Sequence, residues 1–178
     1  MSSGQAESPA SAAADDDVVA NASFAARLHG AWSLVSFRAT LPDGSARAPY
    51  GESAHGQLLN LCAGGPGGRV SVHIARAPAE RPAWATADPA AGGAEERAAA
   101  AGSYRAYRGT FSVRRDGDTA VVAHSVEMSL MPNRVGATLE RRATFSERGA
   151  GGEELLLLEP LVPTPGAASE ALLWRRSA

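Results

Sequence analysis

From Trp32 onward, apolar and polar residues alternate in short runs separated by turn residues. This period of two marks strands with one buried face. Eight runs carry it: 32–38, 55–61, 69–74, 107–113, 119–130, 138–146, 154–159 and 171–176. Pro42-Asp43-Gly44, the glycine-rich stretch 64–68 and Asp116-Gly117 punctuate them as turns. The alternation fails over 94–104, AEERAAAAGSY. Acidic residues in its first turn and alanines behind them predict the one convincing helix, between the third and fourth strands. The connection 76–93, rich in Ala, Pro and Gly and carrying Trp84, is long for a small domain. Such connections often form lids or binding loops.

Residues 1–22 are small, polar and acidic, with no apolar period, and read as a disordered tail. Ser23 suits an N-cap and Gly30 a stop, so 23–28 reads as a short helical turn. The organisation expected is a tail over 1–22 and one domain over 23–178. Eight strands joined mostly by short turns predict an all-β, antiparallel up-and-down meander. It closes most simply into a barrel, because closure removes exposed edges. A two-sheet sandwich is the rival architecture. An eight-stranded barrel has room for one small ligand.

Composition narrows the function classes. With 178 residues the chain suffices for one domain with a real core. A formal charge of −2 exerts no strong pull on nucleic acid or anionic membrane. All 17 basic residues are arginine, scattered rather than striped, so no nucleic-acid partner is expected. No long apolar run predicts a membrane span, and no leader pattern is evident, so the expected location is cytoplasmic. Cys62 is the single cysteine and reads as a small buried hydrophobe. His29, His55, His73 and His124 show no ligand spacing, and no dinucleotide, phosphate-loop, zinc-protease or serine-hydrolase motif occurs. No metal and no cofactor are expected.

Several segments stand in a fixed order: Gly30-Ala31-Trp32-Ser33-Leu34-Val35-Ser36, Asp43-Gly44, Tyr50-Gly51 and Val70-Ser71-Val72, then Ala106-Tyr107-Arg108-Gly109-Thr110. The run from His124 through Met131-Pro132-Asn133 to Gly136 follows, and Leu173-Trp174-Arg175-Arg176 closes the series. Their order resembles that of the bacterial and fungal lipocalin-like domain family, small barrels of the calycin type. The family often carries an aromatic after Pro-Asn, where Arg134 stands here. The resemblance spans about residues 27–176. It implies a barrel with a central cavity and no obligatory cofactor, a fold that hosts carriers as well as enzymes. By analogy of fold, similar barrels in polyketide pathways act as cyclases. It also implies that Trp32 plugs the closed end under an arginine from the last strand, Arg175 or Arg176.

Candidate chemistry sits on the inward registers. Val122, His124, Val126, Met128 and Leu130 share one strand face, which places His124 inside. An imidazole there could donate to a carbonyl or move a proton near neutral pH. A buried histidine satisfied by a neighbour is the plainer reading. Tyr107 and Phe111 share a register on the preceding strand. A turn centred on 116–117 pairs residue 107 with 126, within reach of His124, and the candidate catalytic residues are therefore His124 and Tyr107. Arg141 shares a register with Leu139, Ala143 and Phe145, and a buried arginine needs a carboxylate from the protein or from a ligand. Tyr50, Trp84 and Tyr104 lie on connections near a mouth, where amphipathic aromatics suit ligand contact. The expected ligand contacts are Tyr50, Trp84, Tyr104, Phe111, Val126, Met128 and Arg141. The leading functional reading is a cofactor-independent cyclase or isomerase, of Diels–Alder type among the options, acting on a small hydrophobic polyketide-like intermediate. The alternative is a carrier that binds a small hydrophobic molecule without changing it. A homodimer is compatible with either.

Overall fold

The computed structural model describes residues 9–177 except 82, 89, 117–118 and 149–151. Among these residues the alternating runs become strands β1 (Gly30–Thr40), β2 (Ala46–Arg47), β3 (His55–Gly65), β4 (Gly67–Ala75), β5 (Tyr104–Asp116), β6 (Thr119–Ser129), β7 (Thr138–Arg148), β8 (Glu153–Pro160) and β9 (Ser169–Arg176). They pair antiparallel in the order β2-β1-β3-β4-β5-β6-β7-β8-β9, and β1 also pairs with β9. That last pairing, running from Trp32↔Arg176 to Thr40↔Ser169, closes eight strands into a barrel. The two-residue β2 is an addition to the end of β1, at Ala39↔Arg47. Closure satisfies the edges that an open sheet or sandwich would leave.

The inward register supplies the core. Trp32 and Phe37 on β1, Leu58 on β3, Val72 and Ile74 on β4, Leu156 on β8 and Trp174 on β9 are each at most 4% exposed. A register shift between Leu34 and Ser36 lets both halves of β1 present apolar residues inward. Gly109 is needed where β6 bulges opposite it, because a Cβ there would lie 1.9 Å from the Ser125 carbonyl oxygen.

Helix α2 (Ala94–Gly102) lies between β4 and β5, as the alanine-rich run predicts, and Tyr104 begins β5 rather than ending the helix. Glu96 caps it by accepting from the Gly93 backbone N–H at 2.8 Å. The N-terminus differs from expectation. Residues 1–8 of the expected tail lie outside the described residues, but helix α1 runs over Pro9–Leu28. The alanine-rich stretch with Pro9 at its start has the propensity for this. Ser23 therefore lies inside the helix and does not cap it. Residues 16–20 of α1 are exposed, and only Ala25 and Leu28 are buried, so the last turns alone dock on the barrel. Among the described residues no helix is long and apolar enough to cross a membrane.

The docked turns of α1 close one end. Trp32 is fully buried, donates from Nε1 to the Leu28 carbonyl at 2.9 Å, and lies 4.2 Å beneath the Arg176 guanidinium. Arg176 also donates to the Glu154 carboxylate at 2.6 Å and to the His29 carbonyl at 2.7 Å. Gly30, at φ +115°, leaves the room that Arg176 occupies. Of the two arginines considered for this role, Arg176 fills it. Arg175 has the opposite register, and its half-exposed side chain points at Glu153, 3.4 Å away.

Candidate functional site

The other end is open. The starts of β5, β7 and β9, the end of β8, the turn carrying Arg134 and the connection 162–165 surround a recess of about 370 Å³, lined among others by Arg105, Arg134, Arg141 and Glu170. Beneath it, inside the barrel, is a cavity of only about 20 Å³ lined by Tyr107, His124, Trp174 and their apolar neighbours. Arg105, Arg141 and Pro160 line both spaces. The central hollow expected from the sequence is thus nearly filled by side chains, with room for about one water. The larger space lies at the mouth, where the last inward layer is arginine rather than packed apolar side chains.

His124 is 1% exposed, so its predicted inward placement holds. Its Nδ1 lies 2.8 Å from the Tyr107 hydroxyl and 3.2 Å from Arg141 Nη1. A guanidinium can only donate, so Nδ1 is an acceptor and the ring proton sits on Nε2. Burial first, and then the Arg141 cation, hold His124 well below its ordinary pKa. The imidazole is therefore neutral at pH 7. Arg141, 8% exposed, donates also to the Leu139 carbonyl at 3.0 Å and stands 5.9 Å from the Tyr107 ring centroid. Tyr107, His124 and Arg141 are hydrogen-bonded to one another, and no carboxylate joins them among the described residues.

The family model for a lipocalin-like domain matches residues 29–177, which covers all eight barrel strands. The chain belongs to the lipocalin-like domain family. No curated protein matches it. The lipocalin-like barrel is a small-molecule-binding fold, and its open end is where a ligand would arrive.

Of the candidate residues in this lipocalin-like barrel, His124, Tyr107 and Arg141 come together. The predicted route is corrected. The β5–β6 turn lies between Asp116 and Thr119, with Gly117 outside the described residues, and Tyr107 pairs with Ser129 rather than Val126. Phe111 sits directly opposite His124, and Tyr107 reaches the imidazole diagonally. Phe111 and Val126 are core residues, 3% and 4% exposed, and line neither space. Met128, expected inward, is 56% exposed. β6 stays paired with β5 as far as Ser129, but it carries an extra residue, Glu127, between Val126↔Gly109 and Met128↔Arg108, and this bulge turns Met128 to the outward register of Arg108.

Tyr50 stacks on Phe37 with centroids 5.9 Å apart, and Arg105 lies 5.5 Å from its ring, so it stands near the mouth. Trp84 and Tyr104 do not. Trp84 lines a separate outer recess with Arg76, Arg81 and Ser103. The Tyr104 hydroxyl bonds His73 Nδ1 at 2.5 Å on the outward register of β4. Among the described residues no group of three or more His, Cys, Asp or Glu side chains is gathered as metal ligands would be.

Two mouth residues were not among the expected contacts. Arg105 shares the inward register of Tyr107, two residues along β5, a signal present in the alternation. Arg134 follows Pro132-Asn133 on a short 3₁₀ turn, where the family often has an aromatic. Burial first, then the Arg105 and Arg141 cations, lower the Arg134 pKa.

Proposed function

We propose that this lipocalin-like barrel binds a small organic molecule in the recess at its open end and releases it unchanged. The observation that carries this reading is a preformed recess of about 370 Å³ above an inner polar trio that is already hydrogen-bonded to itself. A recess of that size suits a small ligand. A histidine held neutral, with Nδ1 committed to two donors, is a weak base and no acid at pH 7. That favours binding over proton-transfer chemistry.

The test is a titration of the protein with anilinonaphthalene sulfonate (ANS), followed by its emission. Saturable binding at one site, lost in Thr138→Trp, which fills the recess from the exposed start of β7, is the expected result. Absence of saturable binding, or binding indifferent to Thr138→Trp, would sink the reading.

One observation supports a cyclase or isomerase instead. Arg141 and Tyr107 border the recess or the cavity beneath it and could polarise a substrate carbonyl while the walls restrict its shape. Incubation with polyene or polyketide-like substrates and mass spectrometry would then reveal an isobaric product, lost in Tyr107→Phe. Recovery of every substrate unchanged supports the carrier.

A further inference from the structure

Three guanidiniums, those of Arg105, Arg134 and Arg141, line one recess. Like charges gathered in a partly desolvated space repel, and proteins ordinarily offset such a group with carboxylates. Here none of the three forms an ion pair with a described residue. Two glutamates share the recess lining but are engaged elsewhere. Glu140 accepts from Arg114 at 3.1 Å, and Glu170 Oε2 accepts from the Thr164 N–H and hydroxyl, each at 3.0 Å.

The donors of the trio are correspondingly idle. Arg105 Nε is buried without a partner, although the guanidinium is braced 5.4 Å from the Phe37 ring and 5.5 Å from Tyr50. Arg134 makes no side-chain hydrogen bond or ion pair among the described residues. Only Arg141 is used, by His124 and the Leu139 carbonyl. A buried donor left unpaired is costly, and a ligand that accepts from it recovers that cost.

Charge and shape identify the acceptor. With Glu140 already paired to Arg114, the three arginines outweigh the carboxylates of the lining, so the recess holds an excess of positive charge. An anion balances it and a neutral carbonyl does not. A planar carboxylate also matches the guanidinium fork. Leu139, Val162, Pro163 and Pro165 line the rest of the recess, and Val162 is 84% exposed at its rim. We infer that the recess recognises an amphipathic monocarboxylate, with its head among Arg105, Arg134 and Arg141 and its apolar part against Leu139, Val162 and the prolines. This rests on the ligand-binding reading above and specifies the class of ligand.

Calorimetric titration of the full chain with octanoate, octanol and octyl phosphate tests it, beside the ANS titration. Arg134→Gln is the variant of choice, because that side chain has no partner whose loss would unfold the protein. Octanoate should bind about tenfold or more tightly than octanol, the difference a charge-assisted hydrogen bond commonly makes. Arg134→Gln should remove most of that preference while leaving octanol binding unchanged, and Arg134→Lys should restore part of it. Equal affinity for octanoate and octanol, or tighter binding of octyl phosphate, overturns the monocarboxylate assignment. If ANS saturates the recess while octanoate does not bind, the assignment fails and the binding reading stands. If neither binds, both fail.

Discussion

The two ends of the barrel are built from the same residue type and use it oppositely. At the closed end Arg176 lies over Trp32, meets the Glu154 carboxylate and caps the carbonyls of Arg27 and His29. Arg27 adds a second contact to Glu154 and lies 4.2 Å from the Phe145 ring centroid. At the open end Arg105, Arg134 and Arg141 share one recess with no ion-pair partner among the described residues. A guanidinium whose hydrogen bonds end within the protein contributes to stability. One whose donors end in an open recess adds repulsion to the folded state and keeps its capacity for a ligand. Proteins tolerate such local cost at binding sites and offset it elsewhere. The contrast separates a structural end from a recognition end on one scaffold.

The most severe way to break the contrast is at the closed end. Trp32→Ala should cost roughly 3–5 kcal/mol of stability, the range for a fully buried aromatic truncated in a core, measured by urea or thermal unfolding. A loss below about 1 kcal/mol would mean that the plug is not structural. Arg176→Leu should cost roughly 1–3 kcal/mol, since it removes a cation–π contact, leaves Glu154 to Arg27 alone and strands two carbonyls. Equilibrium unfolding checks this, and restoration of stability by a second change, Glu154→Leu, would locate the loss in the ion pair.

Acid sharpens the comparison from the open end. Burial holds the folded-state pKa of His124 below the value of about 6.5 expected for the unfolded chain. As pH falls, the unfolded chain takes up the proton first. The stabilisation is complete well above about pH 6.5 and declines below it until the folded-state value is reached, with a slope approaching about 1.4 kcal/mol per pH unit. The carboxylates with lowered pKa, Glu154 among them, add their own losses only nearer pH 4. His124→Gln should flatten the decline between about pH 6.5 and 5, followed by urea midpoints across that range. An unchanged slope would show that the imidazole is not the source. The smallest effect is expected for Arg134→Gln, which should leave stability within about 0.5 kcal/mol of the parent or raise it slightly. A clear loss in thermal unfolding would show that the open-end arginines hold the fold as Arg176 does.

Much of this was legible in the chain. The eight alternating runs became the eight barrel strands, and the helix between β4 and β5 fell on the alanine-rich segment. The inward placement of His124 and Arg141 followed from parity, because a side chain's face repeats every second residue. Parity failed where the backbone departed from it. The extra residue Glu127 in β6, opposite Arg108/Gly109, moved Tyr107 opposite Ser129 and turned Met128 outward. The helical part of the expected tail went unread because α1 has no clear apolar stripe before its last turns, where Ala25 and Leu28 dock.

What the sequence by itself determined is the strand inventory, the antiparallel barrel and the face each residue presents, since all three follow from a period of two and the short turns between runs. Tertiary structure alone decided which residues meet at each end. Arg105, Arg134 and Arg141 come from two strands and a short turn far apart in the chain, and only closure through β1 and β9 brings the barrel ends into being. The filling of the interior was likewise a matter of packing. Alternation says that a side chain points inward, but the volume left beside it depends on how residues from every strand interdigitate.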